Sequence, residues 1–314
     1  MNVEPEDSGT GVIVAIPTFG RAQLLERAAR SVLAQGHPDI LLLISDNAST
    51  DETPLICQAL ADADPRVLVH RQQRNIGLTE NFNWLMRRAL QQDRRKYGFF
   101  MFLADDDWLE PNYAGSCVTA LEPGCVMSAG RTLCHVEGEQ SWFAPDVNLN
   151  ADHALDRVAD FCRGVLPSGA FSGVMRLDTL ARLPPQRNVI GNDWLLFGNI
   201  TFLGKVVTVA ETTINRTGGG ASTTSFGLAA TLGVSRVQAV KPLMTVMFYF
   251  LLECMYRSPV FKQLPVSRRL RLAAVTTVSL IERRILAAGV RFSRRDPARV
   301  KAVLRRACAN LIGR

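Results

Sequence analysis

The apolar run Phe99-Phe100-Met101-Phe102-Leu103-Ala104 stops abruptly at three consecutive carboxylates, Asp105, Asp106 and Asp107, followed by Trp108. Adjacent acids repel one another, which raises their pKa values unless a cation or hydrogen bonds compensate. Clustered carboxylates suit Mg²⁺ or Mn²⁺, hard ions that take oxygen ligands and share them with a substrate's phosphates. The same residues also fit a solvated acidic loop in which Asp107 caps a helix. Two further polar stretches read as a loop and a turn. Asp46-Asn47-Ala48-Ser49-Thr50-Asp51-Glu52-Thr53 is dense in turn and N-cap residues, and Arg74-Asn75-Ile76-Gly77 has the composition of a turn.

The elements that would position these groups follow from hydrophobic patterning. Gly11 to Ile16 is a strand buried on both faces and stopped by Pro17, and Thr18-Phe19-Gly20-Arg21 turns into a helix with Leu24, Leu25, Ala28, Ala29 and Val32 at helical spacing. Ile40 to Ser45 and Arg66 to His70 predict two more strands, 53–62 and 79–90 two helices, and 98–103 the strand that ends at the acids. Strand and helix alternating in this way specify an α/β fold, a doubly wound mixed or parallel sheet flanked by helices. Such sheets bind ligands beyond the carboxyl ends of their strands. No Gly-x-Gly-x-x-Gly follows the first strand and no Gly-x-x-x-x-Gly-Lys occurs anywhere, which argues against dinucleotide oxidoreductases and P-loop NTPases.

Past residue 111 the pattern loosens. Strands are expected at 126–133 and 205–210, a polar loop at 137–150, helices at 152–165 and from Asn192, and a glycine-punctuated strand or loop at 168–175. Thr217-Gly218-Gly219-Gly220-Ala221-Ser222 marks a boundary, and helices around 236–256, 266–287 and 296–312 form a C-terminal helical extension. The expected organisation is a flexible N-terminus at 1–10, a catalytic domain at 11–222 divided near residue 110, and a basic, amphipathic helical region at 223–314.

The 314 residues carry a net charge of +7, unevenly placed. Residues 265–314 hold 13 arginines and lysines against Glu282 and Asp296, a net +11, which leaves −4 for the rest. That asymmetry points to an anionic partner for the C-terminal region. Apolar stretches such as Leu243, Val246, Met247, Phe248, Phe250, Leu251 and Met255, alternating with arginines such as Arg268, Arg271, Arg283, Arg291 and Arg294, suit an anionic membrane surface. Packing on the catalytic domain, or a dimer interface, fits the same pattern. Nucleic acid is not expected, because no basic motif is interleaved with aromatics. The acidic start lacks the features of a signal peptide, no apolar run reaches the length of a membrane span, and seven cysteines without a Cys-x-x-Cys pair fit a reducing cytoplasm. The expected place is therefore cytoplasmic, or peripheral on the inner membrane face.

The order of the pieces resembles the family-2 glycosyltransferases, inverting enzymes of the GT-A fold that use nucleotide sugars. The residues carrying the resemblance are Ile16 to Arg21, Ser45 to Thr53, Arg74 to Gly77, Asp105 to Pro111, and Gly191-Asn192-Asp193-Trp194. It covers roughly residues 11–222 and implies a UDP-sugar donor, a carbohydrate or lipid-linked acceptor, and Mg²⁺ or Mn²⁺. Pro17, Thr18, Phe19 and Arg21 match the edge of the nucleobase site, and Asp46 matches the acid that accepts a base N–H. Arg74 and Asn75 match the turn near the nucleotide, and Asn81 a polar contact in some relatives. Asp105 is implied toward the ribose, with Asp106 and Asp107 as metal ligands. Ala104 departs from the commonest family pattern, which leaves the assignment among the three acids open. Asp193 matches the catalytic base, with Asn192 in place of the usual Glu, and is also a natural helix N-cap. Arg216 and the glycine loop resemble a segment that folds over the diphosphate.

The implied chemistry is a single in-line displacement. A divalent ion stabilises the leaving nucleotide, and Asp193 takes the acceptor's proton from the opposite side of the sugar, inverting the anomeric centre. Two other readings remain: a nucleotidyltransferase, which would need a glycine-rich lysine loop after the first strand, and an inactive scaffold of a polysaccharide assembly complex.

Overall fold

The computed structural model describes residues 9–164, 170–218 and 224–293. The start of the expected N-terminal segment, Gly219 to Ser222 of the glycine loop and the helix at 296–312 lie outside them. The chain opens with β1 (Gly11–Thr18), α1 (Ala22–Leu33), β2 (Ile40–Asp46), α2 (Thr53–Ala63), β3 (Val67–Arg71), α3 (Leu78–Leu90) and β4 (Tyr97–Phe102). Then come β5 (Trp108–Leu109), α4 (Tyr113–Thr119), β6 (Cys125–His135), β7 (Trp142–Phe143), α5 (Ala154–Arg163), β8 (Val174–Arg176), α6 (Leu177–Arg182), α7 (Asn192–Leu203) and β9 (Lys205–Thr217). The C-terminal part holds α8 (Ser225–Leu232), α9 (Arg236–Val240), α10 (Pro242–Leu252), a π-turn at Glu253–Arg257, α11 (Pro259–Lys262) and α12 (Val266–Ser293).

One sheet runs β3-β2-β1-β4-β8-β6-β9-β5, with β7 paired to β6. The first four strands are parallel, as the alternation of strand and helix requires. β8 then enters antiparallel between β4 and β6, and β6 and β9 are again parallel, so the sheet is mixed. Every residue of β1, β2 and β4 is buried, and their side chains alternate between two cores. Val12, Val14 and Ile16 join α1, α2 and α4 on one face, while Ile13, Ala15, Phe100 and Phe102 join α3, α5 and α7 on the other.

Three expectations are corrected. The strand from Lys205 extends through Thr217 rather than ending at Ala210, because a register shift at Gly130/Arg131 lets polar Thr213 to Thr217 stay paired with β6. The helix expected at 236–256 is three pieces, α9, α10 and the π-turn. Its apolar residues are not all on the surface: Val246 and Phe250 are buried in the core that includes α7. Gly198 makes that contact close, since a Cβ there would lie 2.4 Å from the Phe250 ring. α10 and α12 contact each other, and α12 also packs on α5.

Candidate active site

The site forms at the carboxyl ends of β1, β2 and β4, where the backbone leaves the sheet and side chains are released from the two cores. β2 delivers Asp46, which is fully buried. Its Oδ1 accepts from the backbone N–H of Ser49 at 3.0 Å and from the Ser49 hydroxyl at 2.5 Å. Its Oδ2 is buried with no hydrogen-bond donor, and the nearest cationic atom is Arg71 Nε at 3.5 Å. A buried carboxylate oxygen without a donor is costly, and a ligand N–H is the kind of group that would satisfy it. Ala48 in this loop has φ +61°, a left-handed conformation that a non-glycine residue adopts at a cost of about 1 kcal/mol. Asn47 clamps the loop, accepting from the Ile76 N–H at 2.8 Å and donating to Asn75 Oδ1 at 3.0 Å.

The Arg74-Asn75 turn is thereby brought beside Asp46, with Arg74 exposed. Asn81 has a structural task. Its carbonyl accepts from the Ser45 hydroxyl at 2.6 Å and its amide donates to the Ser45 carbonyl at 3.0 Å, pinning α3 to the end of β2. Pro17 is buried, while Phe19 is 49% exposed beside the crevice.

The three acids leave β4 in a tight turn. Thr18 Oγ1 donates to Asp105 Oδ2 at 2.8 Å, and Arg21 Nη1 reaches Asp105 Oδ1 at 3.2 Å and Asp106 Oδ2 at 2.6 Å. Arg21 is thus a counter-ion shared by two carboxylates. Asp107 accepts from the Thr217 N–H at 3.1 Å, which ties the acids to the end of β9. Burial pushes the Asp105 carboxyl up to about 6 against the opposing pull of Arg21. It pushes Asp107 up to about 7, with Arg216 opposing and Asp106 adding to the rise.

Asp193 stands in the first turn of α7, after Gly191 in the left-handed region at φ +82°. Its Oδ1 accepts from the Trp194 N–H at 3.0 Å. The N-cap expected at Asp193 falls instead on Gly191, because the helix begins at Asn192 and leaves Asp193 inside its first turn. Asn192 holds the Asp193 N–H at 2.9 Å and is itself held by Gln186 at 3.1 Å. Burial raises the Asp193 pKa, and the positive charge of Arg216 opposes the rise. Arg216, near the end of β9, is therefore close to both Asp107 and Asp193, and its Nη1 is buried without an acceptor.

Sequence reasoning missed a third group that braces the turn. Arg27 lies 3.9 Å above the Trp108 ring and donates to the Asp106 carbonyl at 2.7 Å and to the Thr217 hydroxyl at 3.0 Å. His135 stacks on Trp108 with ring centroids 4.9 Å apart. Only Trp108, directly after the acids, carried a signal. A concavity of about 360 Å³ between β3 and α3, beside His70, Trp84 and Arg88, is lined by none of these groups.

Among the described residues, no group of three or more His, Cys, Asp or Glu side chains is arranged to enclose a metal. Of the two acids expected to hold a metal, Asp106 is paired with Arg21 and Asp107 accepts from the Thr217 N–H.

The chain is 28% identical over 187 residues to the GalNAc(5)-diNAcBac-PP-undecaprenol beta-1,3-glucosyltransferase of Campylobacter jejuni, covering 60% of this chain and 58% of the relative. It is 27% identical over 173 residues to TuaG of Bacillus subtilis, a glycosyltransferase assigned to teichuronic acid biosynthesis, covering 54% of this chain and 66% of the relative. The chain thus spans less than two thirds of the length of these curated relatives. Among solved structures, S. aureus TarS 1-349 in complex with UDP-GlcNAc superposes with a TM-score of 0.60 at 14% identity, over 86% of this chain and 72% of that one. The mannosyltransferase PcManGT of Pyrobaculum calidifontis, in complex with GDP-Man and Mn²⁺, gives 0.50 at 15% identity, over 96% of this chain and 87% of that one. These likenesses establish the GT-A-type fold. The family model for glycosyl transferase family 2 matches residues 13–176, just over half of the 314 residues, and the chain belongs to that family.

Proposed function

We propose that the protein transfers a sugar from a UDP-sugar to a hydroxyl of a lipid-linked or polysaccharide acceptor in bacterial cell-surface glycan synthesis, with inversion at the anomeric carbon. The observation that carries this reading is the meeting of two groups of residues. Asp46 and Asp105 to Asp107 leave the ends of β2 and β4, the end of β9 joins Asp107 through the Thr217 N–H, and the charge of Arg216 acts on both Asp107 and Asp193. The glycan class follows the named substrates of the relatives, one of which acts on an undecaprenol-linked sugar chain.

Each residue then has a task. The unpartnered Oδ2 of Asp46 accepts the imide N–H of uracil, and exposed Phe19 offers a face to the base. Asp105, oriented by Thr18 and Arg21, borders the ribose. Asp106 and Asp107 would hold a divalent ion, which when bound supplies Lewis-acid stabilisation of the leaving diphosphate. The free donor of Arg216 faces charge that develops on the same oxygens. Asp193 takes the acceptor's proton as general base, and its raised pKa makes it a better base than a solvated carboxylate.

The experiment is a thermal-shift screen of UDP, GDP and their sugars, with and without Mn²⁺. A nucleotide at about 100 times its Kd adds roughly 2.7 kcal/mol of stability. Stabilisation by UDP that needs the metal and vanishes in Asp106→Ala is expected. A shift with GDP alone would reject the uridine assignment, and no shift with any nucleotide would reject the donor site.

A further inference from the structure

We infer that the outward face of α9 and α10 docks on the surface of an anionic lipid bilayer. Val237 and Val240 on α9, and Met244, Phe248 and Leu251 on α10, are 43–75% exposed. The spacing of the α10 residues places them on the side opposite buried Val246 and Phe250. These side chains are not scattered. Of the sixteen exposed large apolar residues among those described, eleven fall between Phe226 and Ile281, the concentration that marks an interaction surface rather than ordinary surface composition.

Charge decides what that surface meets. Residues 224–284 hold nine arginines and lysines and two acids. Both acids are engaged, Glu253 with Arg187 and Glu282 with Arg163 at 2.7 Å. Arg236, Lys241 and Arg257 are exposed along the same run of chain as the apolar residues, and Arg268 and Arg271 are exposed on α12, which packs against α10. A second copy of the chain would bring one positive surface against another. Nucleic acid would leave the apolar side chains without a role. Anionic headgroups over an acyl boundary match both features. No helix among the described residues is long and apolar enough to cross a membrane, so this face lies in the plane of the interface. The surface is also narrower than the sequence pattern implied, because Val246 and Phe250 of α10 are buried in the core that includes α7.

The inference is independent of the proposed chemistry, and its test needs no substrate. The full chain is sedimented with vesicles of mixed phosphatidylglycerol and phosphatidylcholine, and with phosphatidylcholine alone. Binding to the mixed vesicles that weakens with salt is expected. The triple variant Met244→Ser, Phe248→Ser, Leu251→Ser should lower the partition coefficient by about 100-fold, with circular dichroism unchanged because these side chains face solvent. Should that variant fail to fold, Arg236→Glu with Lys241→Glu decides the matter, by a fall of about tenfold or more on mixed vesicles. Undiminished binding of the folded triple variant would overturn the inference and move the contact elsewhere, residues 294–314 included. Equal binding to both vesicle types, or none to either, would also overturn it. So would a concentration-dependent dimer that the triple variant abolishes, which would assign the face to a second copy.

Discussion

Asp107 sets a pH-dependent limit on the stability of the ligand-free protein, and Asp107→Asn should remove it. An unfolded aspartate loses its proton near 3.8, whereas burial holds the folded Asp107 protonated up to about 7. Between those values the folded state binds one more proton than the unfolded state, so raising the pH favours unfolding. Stability contributed by this group is fully present below 3.8 and is lost as pH rises through about 7. Each pH unit in the window costs about 1.4 kcal/mol. From pH 5 to pH 8 the wild type therefore loses about 3 kcal/mol through Asp107 that the asparagine variant keeps. This is an upper figure, because Arg216 loses an anionic neighbour in the variant. Asparagine retains an oxygen for the Thr217 N–H, so the turn itself should survive. At roughly 1.5 °C per kcal/mol for a chain of this length, the gap between the two melting temperatures should open by about 4 °C across that range. Calorimetric melting of both proteins in chelator, from pH 5 to 8, measures it. Melting curves that shift in parallel would refute the burial argument.

Three other outcomes follow from the geometry. Asp193→Asn should cut sugar transfer by about 10³-fold while keeping UDP-dependent thermal stabilisation; near-normal product formation by chromatography would remove Asp193 from the role of base. Arg21→Ala leaves Asp105 and Asp106 without their shared donor, so its melting temperature should fall, and fall further at pH 8 than at pH 5, where more of the acid charge is neutralised. Phe250→Ala empties a fully buried site against Gly198 and Phe261 and should cost about 3–5 kcal/mol in denaturant unfolding; a loss below about 1 kcal/mol would mean that α10 is not integral to the core.

The parallel half of the sheet was legible because β1, β2 and β4 are buried on both faces and so appear as unbroken apolar runs. The acids were legible because charge interrupts such a run at its end. β8 and β5, three and two residues long, are too short to carry a period, and the antiparallel entry of β8 could not be anticipated. The second half of β9 was hidden for a different reason. Asn215 and Thr217 are polar because their side chains bond to Glu110 and to the Asp106 carbonyl, so the strand lacks the apolar pattern that would announce it. Asn81 shows the limit of matching by position: its two polar atoms hold Ser45. Arg21 was placed near the nucleotide, but nothing in the sequence indicated that one guanidinium would span two carboxylates.

Asp105, Asp106 and Asp107 are neighbours from the moment the chain is made, but the groups that balance them are not. Thr18 is 87 residues away, Arg21 is 84 from Asp105, and Thr217 is 110 from Asp107. Partners so far apart meet only once β1, β4 and β9 have come together in the sheet. The partly folded chain therefore carries a mutual repulsion that the assembled sheet relieves. Refolding should consequently quicken when salt screens the three charges.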